Sequence, residues 1–128
     1  MRGKSVLIIE PDVNIMSVLV FYVADKGATP RQLNDSAKAV DVITTERPDA
    51  VILDLSFLSV EEDMALFDKI MTAAKGIPVV IISSQTSKQI LVRLLEAGIS
   101  AFFLHPFSMK TLMAHMEEVL EKSSTSAA

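Results

Sequence analysis

Val51-Ile52-Leu53-Asp54 constrains this chain more than any other stretch. Three consecutive apolar residues, two of them β-branched, leave no alternate polar positions to face water. The run therefore suits a strand covered on both sides, as in the interior of a parallel sheet. A charged side chain cannot share that environment, which places Asp54 just beyond the strand's carboxyl end. In open α/β sheets that edge is where binding sites are built. Taken alone, an Asp there serves equally well as a helix or turn cap. The pattern recurs, however: Val6-Leu7-Ile8-Ile9 runs into Glu10-Pro11-Asp12, Val79-Val80-Ile81-Ile82 into Ser83-Ser84, and Ala101-Phe102-Phe103-Leu104 into His105-Pro106.

Helical spacing fills the intervals between these runs. Expected helices cover 13–26, stopped by Gly27; 36–47, opened by the cap residues Asn34-Asp35-Ser36 and stopped before Pro48; 61–74; 87–97; and 108–122. The third carries Met64, Phe67, Ile70 and Met71 on one face, the fourth Ile90, Leu91, Leu94 and Leu95, the fifth Leu112, Met116, Val119 and Leu120. A weaker strand, 29–33, contains Pro30 and suits a sheet edge, where a missing N–H does no harm. Strict β/α alternation implies a five-stranded parallel sheet with helices on both faces, a flavodoxin-like (βα)5 fold with strand order 2-1-3-4-5. The domain is expected over 1–122, with 123–128 a small, polar, disordered tail.

Composition narrows the function classes. The 128 residues suit one domain with a substantial core. Half are apolar and mean hydropathy is +0.40, yet no run is long enough to span a bilayer, so the excess goes into a core or an interface. The first residues lead straight into a strand and lack a signal-peptide pattern. No cysteine is present, which fits a cytoplasmic protein. A net charge of −4 without a basic cluster argues against direct contact with nucleic acid.

In the expected topology strands one and three are neighbours, so Glu10 and Asp12 lie close to Asp54. Clustered carboxylates repel unless a cation joins them, and a hard cation such as Mg2+ takes oxygen ligands of this kind. The Ser83 hydroxyl and the His105 imidazole, from strands four and five, would donate to an anion held beside the carboxylates. An FMN phosphate would instead need an uncharged, N–H-rich loop after strand one, where Glu10-Pro11-Asp12 stands. No G-x-G-x-x-G or P-loop motif occurs, and nothing marks the chain as an enzyme.

These residues resemble the response regulator receiver domain along nearly the whole chain. The resemblance rests on a strand leading into acidic residues (Val6 to Asp12), Pro48-Asp49 before the strand that ends at Asp54, a strand ending in Ser83, and His105-Pro106-Phe107 after Phe102. It implies that Asp54 accepts a phosphoryl group from a histidine kinase or phosphotransfer protein. It also implies that Ser83 and His105 contact that group, that Phe102 is the switch aromatic, and that His105–Pro106 is cis. Mg2+ would be held by the acidic pair, Asp54 and the backbone carbonyl of Ser56. The departures lie in that set. Glu10 replaces the usual first Asp, and Pro11 replaces the second acid and has no side-chain oxygen. Asp12 suits a helix cap, and His105 replaces a Lys with a shorter group, uncharged at pH 7 when free. Of the metal set only Glu10, Asp54 and Ser56 remain, so Mg2+ is expected to bind weakly or not at all. Two functions follow: a phosphorelay receiver with Asp54 as acceptor and output through a downstream protein, or a phosphorylation-independent pseudo-receiver acting as an interaction module.

The first helix is apolar on more than one face. With Ile15, Val18, Leu19, Tyr22 and Val23 as the core stripe, Met16 and Val20 fall on the opposite side, a surface for a partner or a homodimer. His115 reads as a surface residue.

Overall fold

The computed structural model describes residues 1–55, 60–84 and 87–126, the side chains of 60–63 and 122–126 excepted. The chain alternates β1 (Ser5–Ile9), α1 (Val13–Asp25), β2 (Thr29–Leu33), α2 (Ala39–Glu46), β3 (Ala50–Asp54), α3 (Val60–Ala73), β4 (Val79–Ser83), α4 (Lys88–Glu96), β5 (Ala101–Leu104) and α5 (Met109–Ser126). The strands form one parallel sheet in the order β2-β1-β3-β4-β5. Every residue of β3 and β4 is buried, including Asp54, which is the last residue of β3 rather than lying beyond the strand as its charge suggested. Pro30 lies in β2, an edge strand.

Alternation along the strands divides the core in two. Leu7, Ile9, Val51, Leu53, Val79 and Ile81 face α2, α3 and α4, where Ile43, Phe67, Ile70 and Leu94 are buried. Val6, Ile8, Ile52, Val80 and Ile82 face α1 and α5, where Leu19, Val23, Leu112 and Met116 are buried. Each such aliphatic side chain contributes about 1.5–3 kcal/mol on burial. Among the described residues no helix is long and apolar enough to cross a membrane.

Beyond shifts of one residue at several helix ends, the two ends of α2, the end of α5 and the rotation of α1 differ from the sequence expectation. Asp35 caps a 3-10 turn, Ser36–Lys38, through Ala37 N–H, and α2 begins only at Ala39. At its other end Arg47 leaves the helix at φ 46°, because the residue before proline is excluded from the helical region. The α5 helix continues to Ser126 rather than ending at Lys122: no Gly or Pro interrupts it, and extending a formed helix costs little. In α1 the core stripe is Met16, Leu19 and Val23. Met16 is 5% exposed and Val20 packs against the core, so neither forms the outer surface expected of them. Val18 and Tyr22, expected inside, are exposed. The cause is composition: α1 carries no charge from Val13 to Ala24, so its sequence leaves its rotation undetermined.

Candidate functional site

The carboxyl edge of the sheet assembles Glu10 after β1, Asp54 at the end of β3, Ser84 after β4 and His105 after β5. With Pro11, Asp12 and Ile15 they line a cavity of about 310 Å3. Two backbone bonds brace its floor: Leu55 N–H to the Ile82 carbonyl at 2.9 Å, and His105 N–H to the Ser83 carbonyl at 2.8 Å. The His105–Pro106 peptide is cis, as expected.

Glu10 and Asp54 are each 1% exposed. Burial, together with a hydrogen bond to Asp54, pushes the Glu10 carboxyl from 4.5 up to about 9, against the lowering effect of the Asp12 N–H. Glu10 therefore holds its proton at neutral pH. As bare carboxylates the two groups would offer only acceptors to each other; the Glu10 proton turns their contact into a bond. Glu10 Oε2 accepts the Asp12 N–H at 3.1 Å, while Oε1 is buried and accepts nothing. On the far side His105 Nε2 stands 3.5 Å from Asp54 Oδ2, an ion-pair separation for an imidazolium but too long for a good hydrogen bond. His105 also packs on Phe107, with ring centroids 4.9 Å apart.

Asp12 is a cap: Oδ1 accepts from Asn14 N–H at 2.8 Å and Ile15 N–H at 3.0 Å. Its side chain is committed to the helix, Pro11 has no oxygen to give, and Glu10 leans on the Asp12 amide and on Asp54. Ser56 lies outside the described residues. Among the described residues no three imidazole or carboxylate groups are gathered to hold a metal ion. Of the expected metal set the described residues supply the Glu10 and Asp54 carboxyls, and the Glu10 carboxyl is turned to Asp54 and to the Asp12 N–H.

Ser83 is buried on β4, in register with Leu104 of β5. Asp54 pairs in register with Ile82, and alternation carries its face on to Ser84. It is thus Ser84, which the sequence reading passed over, that lines the cavity. Phe102 is partly buried against the core beneath α4, and Phe103 packs on the α1/α5 face. His115 is not a plain surface residue: Nε2 lies 2.8 Å from Ser100 Oγ and its ring meets Phe103 edge-on. At the opposite edge of the sheet Asp49 accepts the Ser5 N–H at 2.7 Å, so the Pro48-Asp49 pair ties β3 to β1 rather than serving the cavity.

Fold and site together define a receiver-type module. Residues 6–117 match the family model for the response regulator receiver domain, and the chain belongs to that family. It is 24% identical to the DNA-binding response regulator MtrA of Mycobacterium tuberculosis over 121 residues, 94% of this chain and 52% of that protein. It is 26% identical to the phosphate regulon transcriptional regulatory protein PhoB of Klebsiella pneumoniae over 133 residues, 98% of this chain and 55% of that protein. The chain spans about half the length of these relatives. Among solved structures, the receiver domain of a putative Luxo repressor from Vibrio parahaemolyticus superposes with a TM-score of 0.85 at 20% identity, covering 99% of this chain and 96% of that one. A CheY-like receiver domain from Methanospirillum hungatei gives 0.85 at 20% identity, covering 96% and 98%. This is a receiver domain of two-component signalling with the flavodoxin-like (βα)5 fold.

Proposed function

We propose that this receiver accepts a phosphoryl group at Asp54 from a histidine kinase or phosphotransfer protein, relays the signal by protein contact, and does so with weak help or none from Mg2+. One observation carries the reading: Asp54 lines the cavity with its Oδ2 3.5 Å from the His105 imidazole. In the transfer, an Asp54 carboxylate oxygen attacks the phosphorus of a donor phosphohistidine. The P–N bond breaks, the donor imidazole keeps the electron pair, and an acyl phosphate remains on Asp54. Protonated Glu10 takes one negative charge out of the acidic half of the cavity as the phosphoryl group arrives. In this reading His105 and Ser84, which line the cavity, receive its oxygens, Ser83 acts from the same strand end, and Phe102 reports it.

A second reading, the phosphorylation-independent interaction module, draws on the same pair. A carboxyl that satisfies Asp54 by its own proton removes the need for a cation, and Pro11 and the committed Asp12 remove the means of holding one. Acetyl phosphate with and without Mg2+, followed by borohydride trapping and intact mass, separates the two. An adduct on Asp54 that is absent from Asp54→Asn supports the first; no adduct in either condition refutes it. The net-charge argument against nucleic acid applies to this chain's own surface only. Relatives named as DNA-binding regulators lend no support to extending it further, and output to DNA through another part of the system fits this reading as well as output to a protein.

A further inference from the structure

The cavity at the sheet edge holds a second nucleophile. His105 Nε2 is buried and has no hydrogen-bond partner among the described residues. The ring is held from two directions. Its backbone N–H donates to the Ser83 carbonyl at 2.8 Å, and the ring packs on Phe107 with centroids 4.9 Å apart. Nε2 is thereby kept 3.5 Å from Asp54 Oδ2. A neutral imidazole carries one proton on either nitrogen; with that proton on Nδ1, Nε2 presents a lone pair. The Lys that the family resemblance leads one to expect at this position has three donors and no lone pair when charged. The imidazole therefore brings to the cavity a chemistry that an ammonium group lacks.

We propose that His105 is a second phosphoryl acceptor, taking the group in line from Asp54 Oδ2 onto its own Nε2. The inference rests on the reading of Asp54 as the first acceptor and goes beyond contact with the phosphoryl oxygens. Reacting atoms in a near-attack arrangement stand about 3–3.5 Å apart. At 3.5 Å from Oδ2, Nε2 is already that close to the atom that carries the phosphoryl group. A phosphorus bound to Oδ2 and directed along this line has Nε2 behind it and Oδ2 as its leaving atom, which is the geometry of phosphoryl transfer. The cavity, about 310 Å3, gives the ring room to draw back as the group enters. In the step the Nε2 lone pair forms the N–P bond while the P–Oδ2 bond breaks, and its electron pair returns to Asp54 as a carboxylate. The ring keeps its Nδ1 proton and becomes a cation beside that carboxylate, so the total charge of the cavity does not change and no further reactant is consumed. Glu10, hydrogen-bonded to Asp54, steadies the carboxylate as it leaves. The Asp54 acyl phosphate is thereby drained onto a bond of different chemistry within the same domain.

The full chain, incubated with acetyl phosphate with and without Mg2+, tests the proposal. Strong base destroys an acyl phosphate and spares a phosphohistidine, whereas acid destroys the phosphohistidine. Intact mass after base treatment, with peptide fragmentation to locate the group, should show one phosphoryl group on His105; borohydride trapping of an untreated portion reads Asp54. Localisation in the parent chain does not depend on the folding of any variant. The base-stable adduct should be absent from Asp54→Asn and His105→Gln and kept in His115→Gln, which removes the other of the chain's two histidines. The acyl phosphate of His105→Gln should outlast that of the parent by about tenfold or more. No adduct of either kind overturns the reading of Asp54 as acceptor and this inference with it. An Asp54 adduct without a base-stable one overturns this inference alone, even where His105→Gln prolongs the acyl phosphate, because the imidazole then acts on water. A His105 adduct that forms equally in Asp54→Asn overturns it too, since the group then does not pass through Asp54.

Discussion

Replacing Glu10 by Gln should remove a pH dependence that the buried acid pair imposes on stability. In the folded chain the Glu10 carboxyl is raised from 4.5 to about 9, by burial first and by its bond to Asp54 second. Below 4.5 folded and unfolded chains both hold the proton, and the group's contribution to stability is fully present. Between 4.5 and about 9 the folded chain holds a proton that the unfolded chain releases. Stability therefore falls as pH rises, by up to about 1.4 kcal/mol per pH unit. Above about 9 the folded chain releases it too and the dependence levels off. At pH 7 the accumulated loss reaches about 3 kcal/mol as an upper limit. Gln keeps the shape, offers an N–H to Asp54 and does not titrate. The Glu10→Gln variant should thus be the more stable by about 1–3 kcal/mol at pH 7, with the difference shrinking toward zero near pH 5. The chain has no Trp and one Tyr, so urea unfolding is best followed by far-UV circular dichroism, at intervals from pH 5 to 9. Parallel stability curves for the two chains would refute the reasoning, since the proton would then not reside on Glu10.

Three further outcomes are expected. Pro11→Asp restores an oxygen ligand beside Asp54, and calorimetric titration should show Mg2+ affinity rising about tenfold or more over a weakly binding parent; tight binding by the parent itself, lost in Asp54→Asn, contradicts the ligand count. Asp12→Ala removes the cap on Asn14 and Ile15 and should cost about 1 kcal/mol in urea unfolding, with the cavity's other residues in place. Phe67→Ala empties the largest fully buried side chain beneath α3 and should cost about 3–5 kcal/mol, read in the same assay.

The sequence by itself determined the sheet. Runs such as Val51 to Leu53 and Val79 to Ile82 have no polar face, so only a strand covered on both sides can hold them, and the helices between them force parallel pairing. It likewise determined that Glu10, Asp54 and His105 meet, because residues at or just past the carboxyl ends of parallel strands have nowhere else to go. Asp12 as a cap was legible too, being a short carboxylate immediately before an apolar helix. Only the tertiary structure decided what depends on rotation and proximity. The rotation of α1 was open because its apolar residues surround the helix, and packing against the sheet and α5 settled it with Met16 inside and Phe21 outside. That Ser84 rather than Ser83 lines the cavity follows from the register of β4 against β3, which no local pattern encodes. The proton on Glu10 likewise belongs to no stretch of sequence: it arises because two carboxyls distant in the chain are buried side by side, where a single charge costs less than two.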